Sequence, residues 1–353
     1  MMALGMRRDG VLTSGCLTDI QAVTEDSYTA ITTRLAVTYD AGAAVDQAGG
    51  GSQCVALPAH LFLKQSRLTA TQSVVGSEQR RREVDFHHRV AAMCMPDAPL
   101  VRCYYAAFSP ETGESCLLFD DMSETHFSMP SAAPPDRTMS NRVIDALATF
   151  HAFWWDHPAL GEIAQLPNAE SVASDIADIR TYFPRYADFA SERLSSAQRR
   201  EYAAVLNQLP RLLGRVTLGK HLTLIHGDAN LSNFMLPRDA VHDGALMIDW
   251  QLWGINFAAH DLAHLIALYW PMDHHRILER DLLKRYHDQL LCHGVKGYDW
   301  HACWNDYRLA VILRVLFMPM WFWTSGAPEA FVWASFERAM AAFMDLSCVD
   351  LLT

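Results

Sequence analysis

The feature that most constrains this chain is a change of pattern near residue 121. Before it, short runs rich in Thr, Val, Ile and Tyr are separated by turn residues, as half-buried strands are. After it, long stretches carry apolar residues at helical spacing. A run of strands followed by a run of helices predicts an α+β protein, not a βαβ alternation. Residues 1–121 are read as a sheet-rich N-lobe and 122–353 as a helical C-lobe. The length of 353 residues supports two cores, since single cores stop growing near roughly 250–300 residues.

The predicted front strands are Thr18–Val23, Tyr28–Tyr39, His60–Lys64, Leu100–Phe108 and Ser115–Phe119, with a turn at Pro110–Gly113. The segment Ser77–Met93 reads as one helix with Val84, His88, Ala91 and Ala92 on its inner face. Asp40–Ser52 is a connector of small residues, and its glycines do not form G-x-G-x-x-G. Ser123–Asp136, with Pro130, Pro134 and Pro135, is a loop. Predicted rear helices are Asn141–Trp155, Ala169–Phe183, Ser195–Leu213, Ala259–Tyr269, His275–Cys292, Trp300–Phe317 and Pro328–Leu346. A strand pair, Thr223–His226 and Phe234–Pro237, interrupts them and is followed by Ala245–Asp249.

Composition excludes several classes. Half the residues are hydrophobic, too many for a disordered chain. Forty acids against 29 bases give a net charge of −11, which argues against general nucleic-acid binding. No C-x-x-C pair occurs among the eight cysteines, so neither a zinc site nor a disulfide framework is expected. The N-terminus lacks the apolar stretch of a signal peptide, and the greasiest run, Leu309–Trp323, is broken by Arg314 and Pro319. The expectation is a cytoplasmic protein without a membrane partner.

The stretch Leu224–Trp250, LIHGDANLSNFMLPRDAVHDGALMIDW, carries the chemistry. Asp228, Asn233 and Asp249 fall at the ends of short apolar runs, and a hairpin turn at Pro237–Gly244 would return Asp249 beside Asn233. A carboxylate and an amide oxygen there suit Mg²⁺, which takes hard oxygen ligands and retains water and phosphate. Asp228 is then free to receive a proton from an attacking hydroxyl or to orient it, the division of labour that phosphoryl transfer requires.

His226-Gly-Asp228 with Asn233, then Ile-Asp249-Trp-Gln251 and Asp261-Leu-Ala, resembles the catalytic and metal loops of the aminoglycoside phosphotransferase and choline kinase superfamily. The Ile-Asp249-Trp-Gln251 form and Asp261-Leu-Ala are most similar to its ecdysteroid kinase-like (choline kinase-like) branch. Leu147-Ala-Thr-Phe-His151-Ala-Phe-Trp-Trp155 is similar to the helix that follows the hinge in those proteins. The resemblance covers about Thr18 to Leu268. It implies a protein-kinase-like two-lobed fold, ATP and Mg²⁺ as cofactors, and a small-molecule hydroxyl acceptor.

The same resemblance assigns further residues. Lys64, ending a strand, would grip the nucleotide phosphates, with Glu83 on the next helix holding it and Glu78 as the competing carboxylate. Phe119, Asp120, Asp121 and Met122 resemble the hinge whose backbone reads adenine. The nucleotide-covering loop would fall at Thr24–Thr29, TEDSYT, which has no glycine; Ser27 is its candidate contact. His226 is expected to support the loop backbone. Asp261 either caps the following helix or supports the catalytic loop. His260 and His264, four apart, have no evident third metal ligand. Arg314 is either paired in the core or faces substrate.

For the acceptor pocket the candidates are Trp253, Tyr269 and Trp270, drawn from an aromatic set that includes Trp321 and Trp323. The implied reaction is γ-phosphoryl transfer to an antibiotic or similar hydroxylated metabolite. Choline-, ethanolamine- or steroid-type alcohols are the alternative acceptors. A phosphate-ester hydrolase and a nucleotide-binding pseudokinase scaffold are the rivals of other classes.

Overall fold

A computed structural model describes residues 17–26, 30–40, 58–66, 74–131, 133–239 and 244–352. The chain divides into two compact units. One takes the described residues up to Phe127, those of 237–242, and Met247–Leu252; the other takes the remainder.

The first unit is built on an antiparallel sheet of β1 (Leu17–Asp26), β2 (Ala30–Tyr39), β3 (His60–Ser66), β4 (Cys103–Phe108) and β5 (Ser115–Asp120). Their spatial order is β1-β2-β3-β5-β4. Successive residues of a strand face opposite sides, so adjacent Leu117 and Leu118 enter two different cores. Leu118 joins Leu35, Val37, Leu61 and Tyr104. Leu117 joins Ala106 and Val84, the latter on helix α1 (Val74–Asp85). The register pairs Lys64 with Leu117. Lys64 therefore lies on the helix-covered face, which explains how a strand lysine meets a residue of α1.

Two expectations change here. Thr24, Glu25 and Asp26 pair with Thr33, Thr32 and Ile31, so β1 runs through half of the anticipated covering loop. Ser27 and Thr29, and the connector beyond Asp40, lie outside the described residues. After α1 the chain enters a π-helical turn, Phe86–Val90. That wider turn rotates the following side chains. Glu83, Val84, Phe86 and Val90 are the buried positions, while His88 and Ala92 are exposed.

The second unit is mainly helical: α2 (Arg137–Phe153), α3 (Leu160–Ile163), α4 (Ala169–Phe189), α5 (Ser196–Leu213), α6 (Ala259–Ala263), α7 (Met272–Cys292), α8 (Trp300–Ala310), α9 (Met318–Thr324) and α10 (Glu329–Asp345). Sequence caps set several starts. The Asp136 carboxylate accepts from Met139 N–H, and Asn168 and Ser195 form capping boxes with Ser171 and Gln198. Two further π-helical turns, His264–Tyr269 and Val311–Val315, extend α6 and α8. The strand Thr223–Ile225 pairs with Gly254–Asn256, not with Phe234–Pro237 as expected. Among the described residues, no helix is long and apolar enough to cross a membrane.

Candidate active site

In the first unit, the Lys64 ammonium donates to both Glu83 oxygens, at 2.8 and 3.0 Å, and to Asp249 Oδ1 at 2.7 Å. Burial alone would lower the lysine pKa, but Asp249 and then Glu83 outweigh it and hold the ammonium above the ordinary range. Glu83 moves upward, because burial and the Asp249 charge oppose its ionisation more than Lys64 favours it. Glu78 instead pairs with Arg81 on the surface. Gln251 Nε2 lies 3.4 Å from Glu83 Oε2.

Asp249 occupies the left-handed region, with φ 67°, a conformation uncommon for a residue with a Cβ. The next residue, Trp250, is 1% exposed and stacks on Phe86, ring centroids 3.9 Å apart and planes 6° from parallel. This aromatic pair, contributing about 0.5–1.5 kcal/mol beyond its buried area, pins the Asp249 loop to the helix that carries Glu83.

At the end of β5, much of the expected adenine-reading backbone is already engaged. Asp120 N–H donates to Arg102 O and Asp121 N–H to His60 O, while Met122 O accepts from Thr125 and His126 N–H. The Asp120 carboxylate accepts from Tyr104 Oη at 2.7 Å, and that of Asp121 from Ser123 N–H at 2.9 Å. Phe119 meets the His87 ring edge-on. Among the described residues, no backbone hydrogen bond engages Met122 N–H or Asp121 C=O.

In the second unit, Asp228 is held by its own loop. Asn233 Nδ2 donates to Asp228 O at 2.8 Å and to Oδ2 at 3.1 Å. Both contacts use the amide nitrogen, which leaves the Asn233 carbonyl oxygen for a cation. Asp228 N–H donates to His226 Nδ1 at 3.3 Å, the backbone support expected of that histidine. His264 Nε2 lies 3.1 Å from Asp228 Oδ1. Burial pushes the Asp228 pKa up, but the His264 hydrogen bond and the surrounding positive field leave it below the usual carboxylate value.

Asp261 is the loop's anchor. It lies inside α6, so the helix-cap alternative fails; its oxygens accept from His226 N–H at 2.6 Å and Gly227 N–H at 2.9 Å. His151 links Asp261 to Tyr286 at 3.2 and 2.8 Å. Burial alone would raise the Asp261 pKa; the His151 hydrogen bond and nearby imidazoles instead hold it far below 3.8. Asp261→Ala strands two buried N–H groups, so a loss of about 3 kcal/mol or more is expected in denaturant unfolding at pH 7. A depressed folded-state pKa gives stability that is present above 3.8 and lost as pH falls. The gap between wild type and variant therefore narrows in acid; a gap constant with pH contradicts this reading.

The aromatic candidates fare differently. Trp270 is fully buried, Trp253 is 5% and Tyr269 8% exposed. None of the three lines a 240 Å³ cavity found in this unit, whereas Trp321 does, with Asp175, Asp178, His260 and Arg314. Aromatic identity does not separate core from pocket, so no sequence signal favoured Trp321 within that set. Asp175 and Asp178, three apart on α4, carry no distinguishing sequence signal either, since such pairs are common on solvated helix faces. Among the described residues, no group of three or more His, Cys, Asp or Glu could hold a metal.

The ecdysteroid kinase-like family model matches residues 95–295. No curated protein matches the chain. Among solved structures, it is similar to a GDP complex of a variant aminoglycoside 2'-phosphotransferase-IIIa, at TM-score 0.56 and 11% identity over 94% of this chain and 93% of that one. It is also similar to a choline/ethanolamine kinase family protein from Mesorhizobium loti, at TM-score 0.52 and 15% identity over 94% and 92% of the two chains. A thermostable variant of aminoglycoside phosphotransferase APH(4)-Ia, in ternary complex with ADP and hygromycin B, matches at TM-score 0.50 and 11% identity over 93% and 94%. These likenesses identify the fold as the kinase-like one, with an antiparallel sheet in the N-terminal part and helices in the C-terminal part. The family match spans more than half of the sequence, and the chain belongs to the ecdysteroid kinase-like family.

Proposed function

We propose that the protein transfers the γ-phosphoryl group of ATP to a hydroxyl of a small molecule, an antibiotic or similar hydroxylated metabolite. The observation that carries this reading is the Lys64 ammonium fixed between Glu83 and Asp249. A buried cation oriented by two carboxylates is poised to neutralise a polyphosphate. Residues 1–121 bind the nucleotide, with Asp121 C=O and Met122 N–H at the base and Lys64 at the phosphates. Residues 122–353 supply catalysis and acceptor binding. Asp228 takes the proton of the acceptor hydroxyl or aims its lone pair, and its depressed pKa keeps it anionic at neutral pH.

The donor chemistry fits Mg²⁺. Asn233 offers an amide oxygen and Asp249 a carboxylate, the hard oxygen donors that Mg²⁺ takes alongside water and phosphate. When bound, Mg²⁺ neutralises charge on the phosphates.

The cavity is the place we assign to the acceptor. Arg314 lines it and donates to Gly227 O, one residue before Asp228, at 2.8 Å. Asp175 and Asp178, which also line it, favour an acceptor with a cationic nitrogen beside its hydroxyl, as in an aminoglycoside antibiotic or, among the alternatives, choline or ethanolamine, over a neutral steroid.

Thermal denaturation with ATP/Mg²⁺, ATP without metal, ADP/Mg²⁺ and GTP/Mg²⁺ tests the nucleotide half. ATP/Mg²⁺ is expected to stabilise most, and Asp249→Ala to remove the metal-dependent part. Larger stabilisation by GTP reassigns the donor. Unchanged metal dependence in Asp249→Ala moves the cation elsewhere. Nucleotide binding without turnover favours the pseudokinase scaffold, and phosphate release from esters without ATP favours the hydrolase.

A further inference from the structure

Behind Asp228 lies a second layer that the mechanism above does not use. His264 is fully buried, and its Nε2 is 3.1 Å from Asp228 Oδ1. Its other ring nitrogen receives Arg314 Nε–H at 3.2 Å, while Arg314 Nη2 donates to Gly227 O at 2.8 Å. A guanidinium is donor only. Nδ1 must therefore present its lone pair, and the proton of a neutral imidazole is forced onto Nε2, where it points at Asp228. The Tyr269 ring packs edge-on against the same imidazole, 5.3 Å between centroids, and restricts its rotation.

Both residues sit on π-helical turns, His264 at the start of His264–Tyr269 and Arg314 within Val311–Val315. Such turns are rare and concentrate at functional sites. Burial and the Arg314 charge lower the His264 pKa from its ordinary value, against the pull of Asp228. With Nδ1 accepting from Arg314, the ring nitrogen that His264 turns to Asp228 is a donor.

We propose that His264, locked as its Nε2–H tautomer by Arg314, is the positioning residue that fixes the rotamer of Asp228 for attack by the acceptor hydroxyl. The inference rests on the reading of Asp228 as the base. With one carboxylate oxygen taken by His264 and the other approached by Asn233 Nδ2, rotation about the side chain is closed off. The lone pair that meets the hydroxyl proton then has one direction. Arg314 also lines the 240 Å³ cavity, so filling that cavity bears on the same guanidinium that sets the tautomer.

The test uses ATP hydrolysis, with water in place of the acceptor, in wild type, Asp228→Asn, His264→Leu and His264→Gln. Glutamine places an N–H where Nε2–H lies; leucine does not. His264→Leu is expected to lower kcat about 10²-fold with the KM for ATP unchanged. His264→Gln is expected to recover most of that loss, and both variants to melt cooperatively. Equal losses in the two variants, or a rise in KM alone, overturn the positioning role. If Asp228→Asn is impaired while His264→Leu matches wild type, only this inference fails. If Asp228→Asn turns over like wild type, the base assignment fails first. Histidine side-chain NMR needs no turnover: His264, assigned by its disappearance in His264→Gln, is expected as neutral Nε2–H at pH 7. An Nδ1–H tautomer or an imidazolium contradicts the proposal.

Discussion

Asp228→Asn is expected to lower kcat about 10³-fold while leaving the KM for ATP within about threefold of wild type. The amide preserves shape but cannot receive a proton. Its NH₂ group also faces a donor whichever way it turns, since His264 Nε2 and Asn233 Nδ2 lie beside the two carboxylate oxygens. The loss therefore belongs to the step in which the nucleophile is aimed, not to nucleotide capture. Steady-state kinetics with ATP varied at fixed acceptor reads the split. An effect confined to KM assigns Asp228 to binding instead.

Lys64→Met is expected to act on both catalysis and stability. Removing a fixed cation from the phosphates costs about 10²–10³-fold in kcat/KM. It also leaves Glu83, 2% exposed at its side chain, without its counter-ion. Breaking such a buried pair costs about 3–5 kcal/mol if the remaining charge persists. Glu83 can escape that cost by protonating, because its pKa is already raised and loses its main opposing interaction. A raised carboxylate pKa gives stability that is complete below 4.5 and lost as pH rises through the folded-state value. Lys64→Met should accordingly be least destabilised in mild acid, with a penalty that grows toward neutral pH. The double variant Lys64→Met/Glu83→Leu should recover part of the stability but none of the activity. A pH-independent penalty shows instead that removing Lys64 does not change the protonation of Glu83.

The strand-then-helix order of Lys64 and Glu83 was legible through the family resemblance, and the strand register that sets Lys64 beside Leu117, on the face that α1 covers, is the local reason they meet. The loop that holds Asp228 and Asn233 was legible for a similar reason: five residues separate them, and local turn geometry brings them together. The rest is long-range. His264 is 36 residues from Asp228, and Arg314 is 87 from Gly227. Helical periodicity identifies a buried face but not which buried polar group meets which. The π-helical turns at Phe86, His264 and Val311 shift faces in a way no 3.6-residue period anticipates. The β-bridge partner of Thr223–Ile225 is a three-residue strand beginning with Gly254, too short to carry a pattern.

Phosphorus NMR of the purified protein with ATP, Mg²⁺ and a panel of hydroxylated antibiotics, amino alcohols and sterols tests the central claim most directly. A new phosphomonoester on one acceptor class, formed in step with ADP and absent with Asp228→Asn, is the expected result. ADP with inorganic phosphate as the sole products across the panel, at a rate indifferent to Asp228→Asn, contradicts it.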